Sequence, residues 1–159
     1  IKSSAASDVY KRQISGGGSM KKILIEVKGT QRYGRDTDVT ELTTFGTIRD
    51  DGVAYIIRYT EEIEEPEESV TVTVRVNKDE SAVQMTRSGK THSSLLIEKS
   101  KRHLCNYGTD FGDLLMGVYG RDIEADMENG VFNFEYDIDF NGSVASQNKV
   151  RLSFSEAAN

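Results

Sequence analysis

Lys101-Arg102-His103, followed by Cys105 and Tyr107, is the densest run of chemically versatile side chains in the sequence. Arginine presents a planar fork that matches a carboxylate or a phosphate ester. Histidine carries protons near neutral pH. On an extended strand Lys101, His103, Cys105 and Tyr107 share one face, while Arg102, Leu104 and Asn106 share the other. Two readings follow. In the first, Arg102 pairs a ligand carboxylate in an enclosed site and His103 moves protons. In the second, and plainer, reading Arg102 closes one end of the fold against carboxylates such as Asp137 or Glu135, and His103 is a half-buried hydrogen-bonding group. A Cys105–His103 nucleophile pair lacks an evident third group to orient it.

Tyrosines form the other candidate set. Tyr55, Tyr59, Tyr107, Tyr119 and Tyr136 all fall in extended segments. They could line an interior with polar tips, or simply pack ring on ring across strands. The expected ligand site combines Arg87, Arg102, His103, Tyr107 and Tyr119, with Met116 as an adaptable wall. Its opening would be bent over by the glycine-bearing turn after Tyr107. No residue is assigned a catalytic role, and no cofactor is expected. Cys105 with His92 and His103 falls short of a structural zinc set. Nucleophile-elbow, phosphate-loop and metalloprotease-helix motifs are all missing from the sequence.

These side chains must be positioned by strands. Val70-Thr71-Val72-Thr73-Val74-Arg75-Val76 alternates strictly, as does 132–140 from Phe132 to Phe140. Period-two alternation of β-branched and aromatic residues is the mark of a half-buried strand. The expected strands are 22–33, 38–50, 53–62, 69–77, 81–87, 93–98, 102–107, 113–125, 131–140 and 143–155. Asp51-Gly52, Asn77-Lys78-Asp79, Ser88-Gly89-Lys90, Asn129-Gly130 and Asn141-Gly142 separate them as turns. The nearest thing to a helix is a single turn over 110–116. Short links imply sequential antiparallel pairing, and so long a meander loses its sticky edges best by closing. The fold class is therefore all-β: a single antiparallel up-and-down barrel of about eight to ten strands. The inward set includes Val70, Val72, Val74 and Val76, then Phe132, Phe134, Tyr136, Ile138 and Phe140, then Val150, Leu152 and Phe154. Glu135, Asp137 and Asp139 are left to face water.

Residues 1–19 are set apart from this domain, as a non-native segment or an ordinary disordered N-terminal tail. Asp8-Val9-Tyr10-Lys11-Arg12-Gln13 reads as the translation of a transposase mosaic end, Ser15-Gly16-Gly17-Gly18-Ser19 as linker, and Met20 as an initiator. The remaining domain, 20–159, suits one core. The chain has a net charge of −6; residues 1–19 hold Lys2, Lys11 and Arg12 against Asp8, so setting aside their +2 leaves −8. An acidic domain repels phosphate backbones, so nucleic acid is not an expected partner. One cysteine fits a reducing cytoplasm, and no apolar run has membrane-spanning length. The acidic run 61–68 reads as a solvated hairpin loop; the alternative is a docking patch for a basic partner or a weak hard-cation site, although the run lacks the glycine-spaced carboxylates of a calcium loop.

From Arg87 to Gly142 the pieces Arg87-Ser88-Gly89, Tyr107-Gly108-Thr109-Asp110-Phe111-Gly112, Met116-Gly117-Val118-Tyr119 and 132–142 occur in an order that resembles the YwiB-like family of small bacterial proteins. Ile25-Glu26-Val27-Lys28-Gly29-Thr30-Gln31 and Tyr55-Ile56-Ile57-Arg58-Tyr59 extend the likeness toward the N-terminus. One departure is Asp110, where that family tends to carry proline, which loosens the turn. The resemblance implies a calycin, lipocalin-like barrel of no established function. Some barrels of that kind hold one small ligand. The expected function is binding of a small apolar or amphipathic, anionic molecule. The alternatives are an enzyme acting on a small acid, or a fully packed barrel that binds a protein partner or only supports structure.

Overall fold

Alternation by twos becomes strand almost everywhere it occurs. The computed structural model describes residues 20–61, 69–90, 92–109 and 111–157. Among them are ten strands: β1 (Lys21–Tyr33), β2 (Asp36–Asp50), β3 (Ala54–Glu61), β4 (Val70–Asn77), β5 (Ala82–Ser88), β6 (His92–Glu98), β7 (Arg102–Thr109), β8 (Gly112–Asp126), β9 (Val131–Phe140) and β10 (Ser143–Glu156). No expected boundary differs from the observed one by more than two residues. The helical turn expected over 110–116 is not formed, because Gly112 to Met116 belong to β8. Residues 1–19, and all of the acidic run except Glu61, lie outside the described residues.

Each strand pairs antiparallel with its sequence neighbours, and β1 pairs with β10 to close the ring. Closure leaves no free edge to template aggregation. The seam between β6 and β7 is thin. Its one register pair is Ser93 with Tyr107, and lower down the Leu96 N–H donates to Cys105 Sγ at 3.5 Å. There β7 lifts away, and Lys99 of the β6–β7 link bridges directly to Gly120 on β8. Gly120 sits at a bulge of β8. A Cβ at Gly120 would lie 2.2 Å from the Glu98 carbonyl oxygen, so only glycine lets the two backbones meet.

The two ends of the barrel differ. Where the chain enters β1 and leaves β10, the inward side chains fill the interior. Ile23, Ile25, Val74, Val76, Val83, Ile97, Phe132 and Leu152 are almost wholly shielded from solvent. Phe132 stacks on Tyr55 at 5.6 Å and meets the edge of Phe154 at 5.0 Å. Lys78 seals this end, with its Nζ 5.0 Å from the Tyr55 ring centre and 2.7 Å from Asp50 Oδ2. Burying each such apolar side chain is worth about 1.5–3 kcal/mol. At the other end the inward rows open into a mouth, which is why Phe140, expected in the core, is 43% exposed.

One expectation about the outer face is corrected. Asp137 and Asp139 do point out of the barrel, yet each is only 6% exposed. Arg121 lies over Asp137 and Arg102 over Asp139, so arginine rather than water covers these carboxylates.

Candidate functional site

The inward residues change character at one level of the barrel. On β5 they run Val83, Met85, Arg87; on β6 Ile97, Leu95, Ser93; on β9 Phe132, Phe134, Tyr136; on β10 Leu152, Val150, Asn148, Ser146. Three of these strands, β5, β6 and β10, thus turn from apolar to polar as they approach the mouth, and β9 places Tyr136 at the same level before Ile138 and Phe140. Cross-strand register brings these positions together. Tyr59 faces Val72, Val72 faces Arg87, Arg87 faces Ser93, Ser93 faces Tyr107, and Tyr107 faces Leu114. On the opposite wall Gln31 faces Asn148, and Asn148 faces Tyr136. The space between is a cavity of about 360 Å³. Its apolar wall is Met85, Leu95, Leu114, Met116, Ile138 and Phe140. Its polar groups come from Arg87, Ser93, Tyr136, Ser146 and Asn148, joined by Gln31, Tyr33 and Tyr107.

Arg87 is not free to act as a bare cation. Its Nη1 donates to Glu61 Oε2 at 2.5 Å, a pair formed where β3 ends. Burial drives the Tyr59 phenol up to about 12, and nearby Glu61 pushes the same way. Burial also lifts Tyr136 to about 12, although Arg87 pulls against it. Both phenols therefore stay protonated at neutral pH. They serve as hydrogen-bonding groups rather than bases. Asn148 Nδ2 donates to Ser146 Oγ at 3.0 Å and to the Tyr136 carbonyl at 3.4 Å, which fixes the amide against the wall. Among the described residues no group of three His, Cys, Asp or Glu side chains could hold a metal ion.

Of the six residues expected at the site, Arg87, Tyr107 and Met116 line this cavity, and Arg102, His103 and Tyr119 do not. The reason lies in the direction and parity of β7. Cys105 is buried, so Arg102, an odd number of residues away, must point outward. Arg102 spans Gly117 on the outer surface to reach Asp139. His103 has the inward parity of Cys105 but lies at the sealed end, where its Nε2 is 2.8 Å from Glu98 Oε1. Tyr119 pairs in register with Arg102, and the Arg121 guanidinium lies 4.9 Å above its ring. β7 begins near the sealed end at Arg102 and reaches the mouth only at Tyr107, roughly 16 Å further on at strand rise. Among the lining residues absent from the expected site are Met85, Ser93, Leu95, Leu114, Ser146 and Asn148. The signal that marks three of them is the apolar-to-polar switch along β6 and β10.

A family model for a domain of unknown function, DUF1934, matches residues 25–152, from Ile25 of β1 to Leu152 of β10. The chain belongs to the DUF1934 family. Among solved structures it resembles the crystal structure of the ywiB protein from Bacillus subtilis, with a TM-score of 0.72 and 18% sequence identity. That likeness covers 87% of this chain and 94% of the other. At such identity the shared property is the barrel itself. No curated protein matches the sequence. The resemblance carried by Arg87 to Gly142 thus holds at the level of family and fold.

Proposed function

We propose that this DUF1934 protein binds one small amphipathic molecule in the barrel mouth. The observation that carries this reading is the cavity of about 360 Å³ above a packed half-barrel, with an apolar wall and a few converging polar groups. Sites for small molecules have this size and this mixture. Enzymatic chemistry finds less support. The His103–Glu98 pair lies at the sealed end, away from the cavity. The acidic balance of the chain argues against nucleic acid as the ligand. The single cysteine, buried and free, suits a reducing cytoplasm as the place of action. Among the described residues no helix is long and apolar enough to cross a membrane.

The test is a fluorescence titration with N-phenylnaphthylamine, a neutral probe that brightens in apolar surroundings. The protein should bind it at one saturable site. Ala145 lines the cavity at an exposed position, so Ala145→Trp should obstruct the opening without touching the core. Affinity should fall by about tenfold or more, a loss of at least about 1.4 kcal/mol. Absence of binding, or binding indifferent to Ala145→Trp, would sink the reading.

A further inference from the structure

We infer that the mouth is built for a ligand whose head group is uncharged, a hydroxyl, carbonyl or amide, and that it discriminates against an anionic head. This inference rests on the binding reading above and specifies the class of ligand. Arginine in a barrel invites the opposite conclusion, and the sequence alone suggests an anion. The geometry reverses it. Among the described residues lining the cavity Arg87 is the one charged side chain, and Glu61 already holds its Nη1. The pair is neutral as a unit. An anionic head placed at Arg87 would face the Glu61 carboxylate, or would have to expel it from a partly buried position. Either course sets two anions against one part-buried guanidinium, and their mutual repulsion offsets the new contact.

An uncharged head meets none of that penalty. The hydroxyls of Ser93, Ser146 and Tyr136 can donate or accept, and Asn148 keeps its Oδ1 as an acceptor while its Nδ2 serves Ser146 and the Tyr136 carbonyl. A guanidinium has five N–H donors, and the Glu61 contact is made through Nη1. The others can serve a ligand oxygen without any change of net charge. The polar set also lies below the rim: Tyr136 is four residues before Phe140 on β9, with Ile138 between them on the same face. A head group would therefore go in first, and Leu114 and Phe140 would hold the apolar body at the opening. The long-range field agrees in sign, because a chain of net charge −6 repels anions as they approach.

The experiment compares N-phenylnaphthylamine with anilinonaphthalene sulfonate, two probes of one skeleton that differ by the sulfonate. The unmodified protein should bind the neutral probe at least about tenfold more tightly. Glu61→Gln leaves Arg87 uncompensated, and should raise the affinity for the sulfonate by about tenfold while the neutral probe changes little. The double variant Glu61→Gln, Arg87→Gln should lose that gain. Equal affinity of the unmodified protein for both probes overturns the inference while leaving the binding site intact. So does a Glu61→Gln protein that remains folded and gains nothing. Failure of the neutral probe to bind the unmodified protein removes the binding reading, and this inference falls with it. The first comparison needs no variant, so it decides the matter even if Glu61→Gln fails to fold.

Discussion

Arg102 reaches over Gly117 to grip Asp139 through two parallel hydrogen bonds, Nε to Oδ1 at 2.9 Å and Nη2 to Oδ2 at 2.8 Å. The pair ties β7 to β9 across the intervening β8, because Leu104 faces Gly117 and Gly117 faces Asp139 in register. Asp139 also accepts the Gly142 N–H at 2.8 Å, which anchors the turn between β9 and β10. A side chain that looks ligand-directed in the sequence is thus a clamp on the outer wall.

Replacing Arg102 with Met should lower the melting temperature and leave probe binding in the mouth unchanged. The substitution removes both partners of the Asp139 carboxylate that come from β7, and it touches nothing in the cavity. Differential scanning fluorimetry and the N-phenylnaphthylamine titration measure the two halves of this prediction. A change of affinity without a change of stability would contradict the outward placement.

Glycine is required for two different reasons on β8, and the costs should rank accordingly. An added Cβ at Gly117 would lie 2.2 Å from Asp139 Oδ1 and 2.4 Å from Arg102 Nε, both ends of side chains that can move apart. At Gly120 the obstacle is the Glu98 carbonyl, 2.2 Å away and part of the backbone. Gly117→Ala should cost about 1 kcal/mol and Gly120→Ala about 3 kcal/mol, the two ends of the usual overpacking range. Urea unfolding of both variants checks the order.

The sealed half of the barrel should carry most of the stability. Phe134 is buried to 1% and stacks near Tyr136 at 6.3 Å. Phe134→Ala should cost about 3–5 kcal/mol in equilibrium unfolding. Exposed Phe111, at the β7–β8 turn, should tolerate alanine within about 0.5 kcal/mol.

Acid should destabilise the fold through identifiable carboxylates. Burial pushes the Asp51 carboxyl up, but the N–H groups of Ala54 and Val53 and the Arg75 guanidinium outweigh it and hold the group down to about 2. The Arg102 hydrogen bonds likewise draw Asp139 below its usual value, against the opposing effect of burial. A carboxyl with a depressed folded pKa adds stability above its unfolded pKa, near 4 for aspartate. That stability is lost as pH falls through the folded value. Stability should therefore be level near neutrality and decline from about pH 4 towards about pH 2. Asp51→Asn should flatten the decline in circular dichroism measured against pH.

The secondary structure was legible in the sequence because strand formation here is a local matter. Strict alternation at 70–76 and 132–140, punctuated by Asn-Gly and Asp-Gly turns, determines which residues extend, where they reverse and which parity is oily. Closure follows from the same pattern, since ten short-linked antiparallel strands leave edges that only a ring removes. Parity alone, however, does not say how far along the barrel a residue lies. His103 and Tyr107 share a face in the sequence, yet one pairs with Glu98 at the sealed end and the other borders the mouth. Nor does the sequence say that Glu61, distant by 26 positions, comes to neutralise Arg87. Those facts are set by stagger between strands and by which neighbours the closed ring brings together. Charge compensation and cavity shape depend on distances in space, and only the tertiary structure decides them.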